Sequence, residues 1–154
     1  TFPLWIEPEH ADAPIRLQGE IDLGICEEVC IPVTLQVAGN LAPGGTRQGN
    51  LSTAIEDRPE RSNGLTCDIS PIDDGLRLVA HVDLPPMSGE EVAVIETGNP
   101  DVWVSQPVTH RSGGVLVAEV EMVAPTAEPF ALARSDVRMT VLAGGRAVEM
   151  LGCE

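Results

Sequence analysis

From Leu65 onward, apolar residues recur at every second position and glycine-bearing turns interrupt them at short intervals, which limits how this chain can fold. A period of two places alternate side chains on opposite faces of an extended strand, whereas a helix repeats every 3.6 residues. Leu76, Leu78, Ala80, Val82 and Leu84 alternate with more polar positions directly after the turn residues Asp73, Asp74 and Gly75. Further strand-like runs occupy 67–70, 92–96, 102–108, 115–123, 137–142 and 147–151. Ser112-Gly113-Gly114 and Gly144-Gly145 supply hairpin turns, because glycine adopts positive φ at no steric cost. Seven short strands in about ninety residues have the size and rhythm of an immunoglobulin-like β-sandwich, so the expected fold class is all-β.

The first forty residues follow the same rule. Ile15, Leu17, Ile21 and Leu23 alternate with Arg16, Gln18, Glu20 and Asp22, the pattern of a half-buried strand leading into Cys26. Residues 2–6 and 33–37 read as two more strands, and three strands make an incomplete sandwich. The stretch 39–50, with Pro43, Gly44, Gly45 and Gly49 among polar residues, has the composition of a connection. A short helix is expected over 51–57, with Asn50 as N-cap and Pro59 ending it. The expected organisation is a partial immunoglobulin-like module at 1–40, a linker with a short helix at 41–63, and a complete sandwich at 64–154.

A hydrophobic content of 43% is enough to build packed cores in a chain of 154 residues. Nine basic residues, all arginine, face twenty-four acidic ones, for a net charge of −15. Nucleic acid is excluded as a partner, since neutralising phosphates needs a basic face. No apolar run approaches the roughly 20 residues that cross a bilayer, and Thr1 opens without a leader pattern, so either a targeting segment has been removed or upstream chain is missing.

Four cysteines allow three pairings, and their spacing favours Cys26 with Cys30 and Cys67 with Cys153. Along an extended strand, positions i and i+4 lie far beyond the ~7 Å reach of a disulfide, so the segment from Cys26 to Cys30 must turn. Closing so small a ring stabilises a fold by only about 2 kcal/mol before strain, which marks a bond open to reduction. The Cys67–Cys153 loop is long, and its closure is worth about 4.6 kcal/mol on the entropic account, which marks a structural bond. A stable long-range disulfide implies an oxidising compartment, the periplasm or the cell exterior. Glu27 and Glu28 lie between the close pair, with Glu20 and Asp22 upstream, and this negative charge disfavours the thiolate. The pair is therefore expected to react mainly with a docked partner, and a thiol pKa well below that of free cysteine would contradict this.

The strand of alternating residues followed by Leu23-Gly24-Ile25-Cys26-Glu27-Glu28-Val29-Cys30-Ile31-Pro32 resembles the end of the N-terminal periplasmic domain of the DsbD family of thiol:disulfide interchange proteins. It is most similar to the branch of ScsB-type suppressors of copper sensitivity. The resemblance covers about a quarter of the chain, and the three-residue spacing here is tighter than in the better-known DsbD pattern. It implies an immunoglobulin-like redox module whose early strands would precede Thr1. It also implies that Cys26 and Cys30 are the catalytic pair, passing electrons from a membrane-embedded DsbD-type domain to periplasmic thioredoxin-like proteins, with Cys30 forming the mixed disulfide. No cofactor and no resident metal are implied. Residues 64–154 resemble the second immunoglobulin-like module of larger relatives at the level of fold.

Other readings of the same residues remain open. The close pair can staple a loop or, as soft thiolates, hold Cu(I), which would make the chain a non-enzymatic copper-binding or protein-interaction module. His10, His81 and His110 are scattered and expected to be solvated, and Asp73 and Asp74 precede Gly75 for reasons of turn chemistry rather than cation binding. Core packing is the expected role of Trp5 and Trp103. No serine, histidine and acid arrangement has a recognisable local motif, so hydrolase chemistry has no support.

Overall fold

The computed structural model describes residues 3–10, 12–26, 30–44 and 49–154, the side chains of Cys26 and Cys30 excepted. The chain divides into two compact units, Thr1–Asp57 and Arg58–Glu154.

In the first unit, β1 (Ile15–Cys26) and β2 (Cys30–Leu41) form an antiparallel hairpin whose ladder runs from Ile15 opposite Leu41 to Cys26 opposite Cys30. The alternation read in β1 continues across it: Ile21 faces Leu35 and Leu23 faces Val33 on one side, while Glu20 faces Gln36 and Asp22 faces Thr34 on the other. None of the described residues of this unit is buried. The strand expected at 2–6 is not formed: residues 3–8 have no regular structure, and Phe2 lies outside the described residues. Pro3 and Pro8 lack the N–H that a ladder needs, so apolar content alone does not make this segment a strand. The first forty residues thus supply two long strands rather than three short ones, and β2 extends well beyond 33–37 on both sides. Helix α1 spans Gly49–Glu56 and begins ahead of its expected start. Asn50 therefore lies inside it, with its Oδ1 accepting from the Leu51 N–H at 3.0 Å, while the Thr53 hydroxyl donates to the Gly49 carbonyl at 3.1 Å.

The second unit is an immunoglobulin-like β-sandwich, and the described residues are all-β apart from α1 and a single turn of 3-10 helix at Arg134–Asp136. Its strands are β3 (Glu60–Ser62), β4 (Leu65–Ile72), β5 (Gly75–Val82), β6 (Val92–Glu96), β7 (Trp103–Val104), β8 (Val108–Ser112), β9 (Val115–Val123), β10 (Arg138–Ala143) and β11 (Arg146–Leu151). One sheet has the order β3-β11-β10-β6 and the other β4-β5-β9-β7, with β8 also on β9. All pairings are antiparallel except β3 with β11. The inward positions of both sheets meet in one core, to which Leu78, Leu116, Met122, Met139, Val141 and Met150 contribute fully buried side chains. Burying such side chains is the main favourable term in folding, at about 1.5–3 kcal/mol each.

The turns follow the glycine chemistry: Gly113 and Gly114 join β8 to β9, and Gly144 and Gly145 join β10 to β11, all with positive φ. The single strand expected at 102–108 is divided. Pro107 interrupts it, so β7 pairs with the end of β9 and β8 with its beginning, and Ser105 bridges the gap by accepting from the Glu121 N–H at 3.0 Å. β3 lies in the stretch expected to be a connection, and three residues are too few to show a period. Core packing is not the role of either tryptophan. Trp5 is 72% exposed in a segment without a sheet to lie against, and Trp103 is 59% exposed on a two-residue edge strand.

Candidate functional site

The β1–β2 ladder ends with Cys26 directly opposite Cys30. Opposed residues of an antiparallel pair have Cα atoms about 4.5–5.5 Å apart, inside the range a disulfide spans. The two cysteines thus stand opposite each other on different strands instead of along one. Their side chains, together with Glu27, Glu28 and Val29 and the effect of those carboxylates on the thiols, lie outside the described residues.

The next register pair is Ile25 opposite Ile31, 61% and 62% exposed, followed by Gly24 opposite Pro32. Two β-branched side chains suit the ladder geometrically, and among the described residues nothing covers them. Further along, the Thr34 hydroxyl donates to Asp22 Oδ1 at 2.7 Å, and the Gln36 amide donates to Glu20 Oε2. These cross-strand bonds fix two carboxylates on the side of the hairpin opposite Ile21 and Leu23.

Cys67 and Cys153 are joined by a disulfide, with Cα atoms 5.6 Å apart. Both residues are buried. Cys67 belongs to β4 in one sheet, and Cys153 follows β11 in the other, so the bond staples the sandwich across its core. Gly152, at φ 80°, lets the chain leave β11, after which the Cys67 N–H donates to the Glu154 carbonyl at 3.0 Å and the Glu154 N–H to the Leu65 carbonyl at 3.1 Å. Arg134 closes this corner by donating to the Cys67 carbonyl at 2.9 Å, and the Cys153 N–H donates to the Arg134 carbonyl at 3.0 Å. None of these groups leaves the disulfide open to a protein partner.

Elsewhere the polar clusters are structural. Arg111 grips Glu91 through two hydrogen bonds of 2.7 Å and donates to the Leu84 carbonyl at 2.8 Å, while the Met87 N–H donates to Glu91 at 2.8 Å. The Arg111 hydrogen bond holds the Glu91 carboxyl below its ordinary value. His81 lies 3.2 Å from Asp68 Oδ2, and His10 and His110 are exposed. Asp73 and Asp74 form the β4–β5 turn, and among the described residues no group of three or more histidine, cysteine, aspartate or glutamate side chains is placed to hold a metal. An open groove of about 580 Å³ beside Trp103 is lined by residues 95–104 and contains neither cysteine pair. The roles of Arg134, of the Glu91–Arg111 pair and of the exposed Ile25 and Ile31 carry no sequence signal except, for the isoleucines, adjacency to the cysteines.

No protein-family model and no curated protein sequence matches the chain. Among solved structures it is similar to the crystal structure of the N-terminal periplasmic domain of ScsB from Proteus mirabilis, with a TM-score of 0.55 and 14% sequence identity. The match covers 90% of this chain, which spans 58% of the length of that domain. At this identity the relationship is one of fold: the chain shares the all-β architecture of that domain.

Proposed function

We propose that the chain performs thiol–disulfide exchange in the periplasm through Cys26 and Cys30, passing electrons between a membrane-embedded DsbD-type domain and thioredoxin-like partners. The observation that carries this reading is the ladder register: Cys26 and Cys30 are opposed Cα partners at the end of the β1–β2 hairpin, a spacing that a disulfide can bridge. The fold likeness to a ScsB periplasmic domain supports the same reading, as does the contrast with the buried Cys67–Cys153 bond. Among the described residues no helix is long and apolar enough to cross a membrane, so the membrane step belongs to a partner or to another part of a larger protein.

In the reaction one thiolate of the reduced pair, by family analogy Cys30, attacks the partner's disulfide and displaces a partner thiolate, which takes up a proton. The second thiolate then attacks the mixed disulfide and frees the remaining partner sulfur. One S–S bond breaks in the partner and one forms between Cys26 and Cys30, and two electrons and two protons pass to the partner. The membrane domain's dithiol reverses the exchange.

Equilibrating the chain in graded thiol buffers and mapping alkylated cysteines by mass tests this. A Cys26–Cys30 bond that titrates between about −120 and −270 mV, while Cys67–Cys153 stays oxidised, is the expected result. If both bonds resist reduction alike, or Cys26 and Cys30 never pair, the pair is a staple or a thiolate metal site instead.

A further inference from the structure

We infer that the free edge of β6 is a docking site at which an extended, basic segment of another protein adds antiparallel to the sheet.

β6 ends its sheet on β10, and among the described residues no backbone hydrogen bond outside that ladder reaches Val92–Glu96. One side of its backbone is thus unpaired, a template onto which a further strand can add. The other edges of the sandwich are closed. β3 has only three residues and presents Arg61 and Glu60, which Arg146 holds. β4 contains Pro71 and is met by Glu154, whose N–H and carbonyl bond Leu65 and Cys67. The edge made by β7 and β8 is broken at Pro107. Short length, charge and proline are the usual guards of an edge. β6 has five residues, neither proline nor glycine, and a charge only at its last position.

Its side chains define the occupant. Ala93 and Ile95 are buried in the core, so Val92, Val94 and Glu96 lie on the outer face of the sheet. Leu142 stands opposite Val92 on β10, and these three apolar side chains are 47% (Val92), 39% (Val94) and 42% (Leu142) exposed. An added strand places its own outer side chains beside Val92, Val94 and Glu96. Two apolar side chains and one cation satisfy that row, so the antiparallel segment reads cation-x-apolar-x-apolar. Charge favours the same occupant over a second copy of this chain. From residue 78 to residue 110 the chain holds Asp83, Glu90, Glu91, Glu96 and Asp101 and no arginine or lysine. Arg111 and Arg138 offset only Glu91 and Glu96 among them. A second copy paired about Val94 would bring the same acidic field and set each Glu96 against a Val92, whereas a basic segment is drawn in.

The test measures binding of the full chain to labelled peptides by fluorescence anisotropy. The probes are Lys-Thr-Val-Thr-Val between serines, the same peptide with glutamate for lysine, and the lysine peptide N-methylated at two successive central amides. Successive N–H groups of a strand point to opposite sides, so the methylated peptide loses a donor toward β6 in either register. The lysine peptide should bind at least about threefold tighter than the glutamate peptide, and methylation should weaken it about tenfold. Glu96→Lys, a change at an exposed position, should transfer the preference to the glutamate peptide, a gain that an unfolded variant cannot produce. Val94→Lys should abolish binding of the lysine peptide. Failure of the lysine peptide to bind, equal binding after methylation, or a preference unchanged in Glu96→Lys overturns the inference. Sedimentation showing a dimer of the wild-type chain that Val94→Lys returns to monomer would assign the edge to a second copy and overturn it as well.

Discussion

Gly75 is where a single missing atom matters most to the sandwich. It opens β5 after the Asp73-Asp74 turn, and a Cβ there would overlap the carbonyl oxygen of Met122 and approach its carbonyl carbon to 3.1 Å. Both are backbone atoms of β9, which cannot swing aside. Gly75→Ala is expected to cost about 1–3 kcal/mol, the usual penalty of overpacking, measured as a lower urea midpoint at unchanged slope. The Glu91–Arg111 pair acts at the same scale. Its side chains are only 12% and 21% exposed, so removing one partner leaves a poorly hydrated charge. Glu91→Gln should lose about 1–3 kcal/mol at pH 7. The folded carboxyl titrates below its ordinary value of 4.5, so this contribution is complete above that pH and fades as the pH falls through the lower folded value. Urea midpoints of wild type and variant should therefore draw together as the pH falls below 4.5.

At the scale of elements, the two cysteine-bearing positions face opposite demands. The corner between β4 and the residues after β11 is closed by a covalent bond, two backbone hydrogen bonds to Glu154 and the Arg134 guanidinium. Cys67→Ser/Cys153→Ser should lower stability by about 2–5 kcal/mol without altering exchange at the hairpin, read by thermal unfolding beside a thiol assay. The β1–β2 hairpin has no buried residue among those described, and a two-stranded hairpin is only marginally stable in water. Its odd positions from Ile15 to Ile25 are apolar side chains except at Gly19, and this alternation made the strand and its two faces legible in advance. The division of 102–108 into β7 and β8 was not legible, although Pro107 was in view, because a proline in an apolar run marks an edge or a break without saying which.

For the whole molecule, the core is assembled entirely from residues between Leu65 and Cys153. A fragment 58–154 should therefore fold alone and unfold in one transition, by circular dichroism and urea. A fragment 64–154 should unfold at lower urea, because it lacks β3 and the Glu60–Arg146 pair and leaves β11 as an open edge. Equal midpoints for the two fragments would return the boundary to residue 64. Cys26→Ser/Cys30→Ser should leave the 58–154 transition unchanged in the full chain, since the cysteine pair belongs to the other unit.

What the amino-acid order determined by itself is local. Period-two alternation specifies strands and paired glycines specify tight turns, because each depends on neighbours a few residues apart. The i, i+4 spacing of Cys26 and Cys30 required a turn for the same reason. The tertiary structure alone decided what depends on distant partners: that Trp5 and Trp103 remain exposed, that β3 adds in parallel to β11, and that Arg134 locks the corner of the Cys67–Cys153 bond. It also decided that Ile25 and Ile31 are more than half exposed. Burial is a property of what lies opposite a side chain, and in a sandwich the opposite residue is tens of positions away in the chain.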